Sequence, residues 1–148
     1  MRAVLQRVSE AQVTAGSKLL GRIGRGFVVL LGIARNDTEG DAAFIADRTL
    51  KMRVFADPED RMNLALDQVG GQILVVSQFT LLADTEAGRR PSFSAAAPPE
   101  EARRLYEYFI SLVRDRGVNV ETGEFGAMMA VAMVNDGPVT IILDSRNR

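Results

Sequence analysis

The chain has 148 residues, 47% apolar and 25% charged, with a net charge of −1. That is enough for one domain with a real hydrophobic core, without global attraction to a polyanion. Neither histidine nor cysteine occurs, which excludes a Ser-His-Asp triad, a thiol nucleophile, disulfides, and imidazole or thiolate metal ligands.

Chemistry is left to hydroxyls, carboxylates, backbone amides, or groups that a substrate brings. The first seven residues lack the apolar run of a signal peptide, and the longest apolar segment, residues 27–34, is too short to span a bilayer. A cytoplasmic domain with no membrane partner is expected.

Residues 1–8 and 11–14 read as two short strands, with turn chemistry at Gly16-Ser17-Lys18 and Gly21. The glycine-bounded, β-branched run 27–33 reads as a fully buried strand. Asp37 or Thr38 can cap a segment in which Ala42, Ala43, Ile45, Ala46, Thr49, Leu50 and Arg53 follow with helical rather than alternating spacing. Val54-Phe55 reads as a short strand ended by the Asp57-Pro58 turn, and Gly70-Gly71 opens a strand over 72–79. Residues 83–97, which carry Arg89-Arg90, read as a long ordered loop, and that arginine pair is the choice for phosphate contacts if the partner is RNA.

Pro98-Pro99-Glu100-Glu101 starts a second helix, with stripe Ala102, Leu105, Phe109, Leu112 and Val113, that stops at Gly117. Residues 125–134 and 139–143 read as two last strands separated by a Gly-Pro turn. In the first of these, Met129, Val131 and Met133 alternate with Met128, Ala130 and Ala132. A strand apolar on both faces is buried by its own chain, by a second subunit or by a ligand. The order β-β-β-α-β-β-α-β-β lacks the alternation of a doubly wound sheet. The fold class expected is α+β and β-rich, with stacked or barrel-like sheets and two main helices.

Two loops interrupt apolar runs: Ser77-Gln78-Phe79-Thr80 and Asn135-Asp136-Gly137-Pro138-Val139-Thr140. The hydroxyls of the first either cap a turn or sit beside amides that hold an oxyanion. The second is either a plain hairpin turn or, with a cis bond before Pro138, a rigid wall of carbonyls. The acids fall in turns and helix starts, with no arrangement that suggests a metal site, and Gly21-x-x-Gly24-x-Gly26 fits neither phosphate-loop spacing.

Leu5-Gln6-Arg7-Val8, Met62-Asn63-Leu64, residues 75–81, Arg90-Pro91-Ser92-Phe93 and residues 135–140 stand in order over almost the whole chain. Together they resemble the D-aminoacyl-tRNA deacylase family. The resemblance implies one deacylase domain over residues 1–148, working as a homodimer without metal or cofactor on D-aminoacyl-tRNA and on mischarged Gly-tRNA(Ala). It implies that Ser77, Gln78, Phe79 and Thr80 line the reaction centre. Gly137 and Pro138 would reach in from the partner subunit, Arg7 would brace them, and Phe125 and Met129 would hold the terminal adenine. Thr80 has no evident base beside it, so it is assigned to positioning, and the oxyanion to amides near Phe79 and Thr80. The rival readings are a dimeric module that binds RNA ends without turnover, and a hydrolase of another acyl substrate.

Overall fold

The computed structural model describes residues 1–86 and 88–148. Ala87, inside the 83–97 loop, lies outside them. The strands are β1 (Arg2–Ala15), β2 (Lys18–Ile23), β3 (Gly26–Gly32), β4 (Phe55–Ala56), β5 (Met62–Leu64), β6 (Gln72–Ser77), β7 (Val120–Thr122) and β8 (Ala130–Asp144). The helices are α1 (Glu39–Lys51) and α2 (Pro99–Arg114), with 3₁₀ turns at Asp67–Val69 and Phe79–Leu82. None of the described helices is long and apolar enough to cross a membrane.

The long strand β1 organises the sheet. One of its edges pairs with β3 near its start and with β2 near its end, and its other edge pairs with β8 along almost its whole length. From β3 the sheet continues through β6 to β7 in parallel pairings, whereas all pairings of β1 are antiparallel. The sheet then curls until β2 approaches β7. A Cβ at Gly21 would stand 3.1 Å from both Glu121 Cβ and the Thr122 carbonyl oxygen, so the missing side chain permits the near-closure. The result is a β-rich α+β fold with a nearly closed, barrel-like sheet.

Two cores follow from the alternation of side chains. Leu5, Phe27, Leu31 and Ile73 face the helices and bury against Ile45, Leu105 and Phe109, while Val8, Val13, Val28 and Leu74 fill the inside of the curl. Strands β3 and β6 are therefore apolar on both faces, as their sequences require. Each fully buried Leu or Phe contributes about 1.5–3 kcal/mol, which makes this the rigid part of the molecule.

Several elements differ from the sequence expectation. Residues 1–8 and 11–14 are one strand, because the exposed Ser9 and Glu10 are carried through a register shift rather than a turn. The strand over 72–79 ends at Ser77, where the chain enters the 3₁₀ turn. The short β5 stands among polar neighbours, where three residues are too few to show strand alternation. Residues 125–129 form a turn and not a strand, and the two expected final strands are one.

The reason for this last difference is the uninterrupted edge of β1. Asn135 pairs with Val8 and Thr140 with Gln6, so β8 keeps its direction on both sides of the Gly-Pro sequence. Residues 136–139 consequently bulge out opposite Arg7 alone. The Gly-Pro segment makes no hairpin. The outer face of β8 is not covered by its own chain either: Ile142 is 72% exposed and Val134 52%, and Met128, in the turn just before the strand, is 91% exposed.

Candidate functional site

The parallel pair β3–β6 forms a fixed floor. Gln78 N–H donates to the Leu31 carbonyl at 2.8 Å as the chain leaves β6, and the 3₁₀ turn closes with Leu81 N–H on the Gln78 carbonyl at 3.2 Å. Such a turn gives its first amides no acceptor within the helix. The N–H groups of Phe79 and Thr80 hold those positions. The turn lies close on β3 because Gly32 has no side chain: a Cβ there would stand 2.6 Å from Leu82 Cδ2 and 2.9 Å from the Gln78 carbonyl oxygen. The Gln78 carboxamide donates to the Thr80 hydroxyl. Phe79, 58% exposed, meets Phe93 edge-on with ring centroids 5.1 Å apart. Phe93 is held in place by the reciprocal backbone bonds between Asp84 and Ser92, at 2.8 and 2.9 Å.

Ser77, Gln78, Phe79 and Thr80 open into a cavity of about 680 Å³ whose far side is formed by Phe125, Met129 and Val131. Among the described residues, no charged side chain lines it. Thr80 therefore has no neighbouring base that could make its hydroxyl a nucleophile. The cavity can hold an uncharged group near polar amides in a medium of low dielectric, where such dipoles act most strongly.

Its far side is braced from α2. The Tyr106 ring lies 5.6 Å from that of Phe125, and the Arg103 guanidinium lies 5.0 Å over the Phe125 ring. The Tyr106 hydroxyl donates to the Val75 carbonyl at 3.0 Å, and Gly123 N–H reaches the same oxygen at 3.1 Å. Burial pushes the Tyr106 hydroxyl pKa up to about 12. A Cβ on Gly123 would stand 2.5 Å from Met129 Sδ, so that glycine makes room for the methionine. Tyr106, Arg103, Phe93, Gly32 and Gly123 were invisible as site residues in the sequence. Tyr106 simply continues the helical stripe that reads as core.

A second group of residues lies elsewhere. The Gly137–Pro138 peptide bond is cis, and both residues are exposed on the β8 bulge. Arg7 Nε donates to the Asp136 carbonyl at 3.0 Å, with the Asp136 carboxylate 3.5 Å away, and Arg7 Nη1 donates to the Val54 carbonyl. The side chain that faces the bulge across the strand pair thus ties it to the start of β4. Asn135 Oδ1 accepts from Val139 N–H at 3.3 Å, while Asn135 Nδ2 and the Thr140 hydroxyl both donate to Gln6 Oε1. Gly137 has φ +127°, and a Cβ there would meet Val139 Cγ2 at 2.8 Å and Arg7 Nη2 at 3.0 Å. None of Arg7, Gly137 and Pro138 borders the cavity. Arg89 and Arg90 are exposed on the 83–97 loop, also away from it.

Residues 4–144 match the family model described as D-Tyr-tRNA(Tyr) deacylase. The chain is 59% identical over 145 residues to a D-aminoacyl-tRNA deacylase of Roseiflexus sp. (strain RS-1), covering 98% of this chain and 94% of that protein. It is 56% identical over 148 residues to one of Thermus aquaticus, covering 100% and 97%. Among solved structures it superposes on a c-Myc DNA unwinding element binding protein with TM-score 0.91, at 40% identity and covering 97% of this chain and 98% of that one. A probable eukaryotic D-amino acid tRNA deacylase shares the fold, with TM-score 0.80 at 22% identity and coverage of 96% and 97%. With matches that span essentially the whole chain, the protein belongs to the D-aminoacyl-tRNA deacylase family, hydrolases that act on ester bonds.

Proposed function

We propose that the chain, as one deacylase domain over residues 1–148, hydrolyses the ester that joins a D-amino acid to the terminal ribose of tRNA, and that it does so as a cytoplasmic homodimer. The observation that carries the finer reading is the separation just described. The cavity with Ser77–Thr80 has an open side, and the Gly137–Pro138 bulge projects from an exposed edge and does not border that cavity. A second copy supplies each with the other. The uncovered apolar face of β8 supports the same assembly.

In this reading the terminal adenine rests on Phe125 and Met129, and the scissile carbonyl faces the amides of Phe79 and Thr80. Those amides stabilise the oxyanion as water attacks. An aminoacyl ester is already activated, so orientation and oxyanion stabilisation suffice, with the vicinal ribose hydroxyl assisting from the substrate. Gln78 and Thr80 position the ester, and Ser77 shapes the end of the floor. No metal and no cofactor enters the scheme.

Chirality is read by exclusion. The Gly137 and Pro138 carbonyls of the partner, braced by its Arg7, leave room beside Cα for hydrogen alone, and an L side chain collides with them. Each tenfold of discrimination needs only about 1.4 kcal/mol, which a backbone clash supplies easily. Glycine offers no side chain to reject, so Gly-tRNA(Ala) is accepted too.

The test is a deacylation time course on matched D-Tyr-tRNA and L-Tyr-tRNA, with and without EDTA. Chelator-resistant release from the D form alone is expected. Release from neither substrate leaves an RNA-end binding module in place of the enzyme, and equal release from both removes the exclusion wall.

A further inference from the structure

Phe125 has a second cavity on its other side. This one, of about 410 Å³, is lined by Arg103, Tyr106, Ser111 and Arg114 of α2 and by Thr122 and Gly123 of the β7 end, with Glu107 and Asp115 at its border. It shares only Phe125 with the catalytic cavity. Of its polar groups, Arg103, Tyr106 and the Gly123 N–H brace the wall at Phe125, and the others have no part in the reading above.

The helix sets the spacing. Arg103, Glu107, Ser111 and Arg114 fall at intervals of four, four and three, which places them along one face of α2 over about 16 Å. Arg114 gives one N–H to the Val120 carbonyl at 3.2 Å, and a guanidinium has five to give. The two guanidiniums are matched by two carboxylates. A bare anion trap would carry the positive charges alone. A nucleotide needs both signs: guanidinium donors for phosphate and as a stacking plane for the base, and carboxylate acceptors for an exocyclic amine such as that of cytosine.

We infer that this second cavity binds the single-stranded nucleotides that precede the terminal adenosine of the tRNA, with Arg103 and Phe125 as the divider between the two subsites. The inference rests on the deacylase reading. A polynucleotide whose last base occupies the first cavity must leave it, and the far side of Phe125 offers a charged, open groove in which to do so. Aromatic and guanidinium stacking with local phosphate contacts is how single strands are held by a chain with no net positive charge.

Two substrates separate the subsites: full-length D-Tyr-tRNA, and D-tyrosyl-adenosine, which ends at the first cavity. Two variants alter only the second: Arg114→Gln, and Ser111→Glu, which puts a carboxylate into the groove. Each is expected to raise KM for D-Tyr-tRNA roughly tenfold with kcat unchanged, and Arg114→Gln to reduce the salt slope of tRNA binding by about one. Turnover of D-tyrosyl-adenosine is expected to match the parent chain. Equal losses on both substrates place the effect in the catalytic cavity and overturn the inference, as does no change on either. Failure of the unaltered chain on both substrates removes the deacylase reading itself, and the inference with it.

Discussion

The cavity and the β8 bulge are built on opposite principles. The cavity rests on β3 and β6, buried on both faces, and its functional turn is pressed onto Gly32 and held by aromatic neighbours. The bulge stands on an edge strand, exposed, and its shape comes from hydrogen bonds: Arg7 and Gln6 of β1 grip Asp136, Asn135 and Thr140 from beneath. Hydrophobic packing makes a hollow; a polar brace holds a projection. Under the proposed assembly the projection enters a second subunit and so cannot be packed over by its own chain, which accords with polar bonds doing the holding there.

The sharpest way to break this comparison is at Gly137. Any side chain there adopts φ +127° and meets Val139 and Arg7 within about 3 Å. Gly137→Ala is expected to cost about 1–3 kcal/mol of local strain, relieved by moving the bulge. Because the bulge is exposed, the circular dichroism spectrum should stay native while D-Tyr-tRNA deacylation falls by two orders of magnitude or more. Full activity in this variant would remove the bulge from the mechanism.

Complementation asks whether the two regions meet across subunits. Gly137→Ala keeps a sound cavity, and Phe79→Pro, which removes the Phe79 N–H, keeps a sound bulge. Each chain is expected to be inactive alone. Randomly mixed dimers should regain roughly a quarter of wild-type activity, since half the dimers are mixed and one site in each is intact. No recovery would mean that each chain completes its own site. Val134→Glu on the exposed face of β8 sharpens the point: sedimentation should show a monomer, with activity lost in the same step.

A smaller effect is expected beneath the 3₁₀ turn at Phe79–Leu82. A Cβ on Gly32 reaches Leu82 and the Gln78 carbonyl at 2.6 and 2.9 Å, so Gly32→Ala must shift the turn that carries the Phe79 and Thr80 amides. Overpacking of this kind costs about 1–3 kcal/mol. A kcat reduced roughly tenfold to a hundredfold, with KM less affected, marks loss of transition-state stabilisation. An unchanged kcat would separate the turn's position from the chemistry.

The sequence made the packed region legible and left the projecting one half-read. The run 27–33 and the β-branched stretch after Gly70-Gly71 declared buried strands, and the stripe from Ala102 to Val113 declared α2, because burial imposes periodicity on residue type. The Gly-Pro segment carries turn chemistry, and turn chemistry alone does not say whether the chain reverses. That was decided by the length of β1, a distant partner with an edge to fill. Residues 125–129 misled for a related reason: their apolar character comes from lining a cavity, not from strand alternation. Tyr106 was hidden because a core position and a bracing position have the same spacing on a helix.

Tyr106 offers the finest test of that last distinction. Its hydroxyl bond to the Val75 carbonyl ties α2 to the strand that ends in Ser77. Tyr106→Phe is expected to cost about 1 kcal/mol, read as a lower urea midpoint at pH 8. The pH dependence has a definite sign. With the folded-state pKa raised to about 12 by burial, from an ordinary value near 10, the protonated phenol is the folded form. Its stabilisation is complete below pH 10 and is lost as the pH rises towards 12. The parent chain should therefore lose stability between pH 10 and 12 through this group, and Tyr106→Phe should lose less, so that the two midpoints converge at alkaline pH. Midpoints that stay parallel would mean that the hydroxyl is not held neutral by its burial, and that the brace on Phe125 is one of ring packing alone.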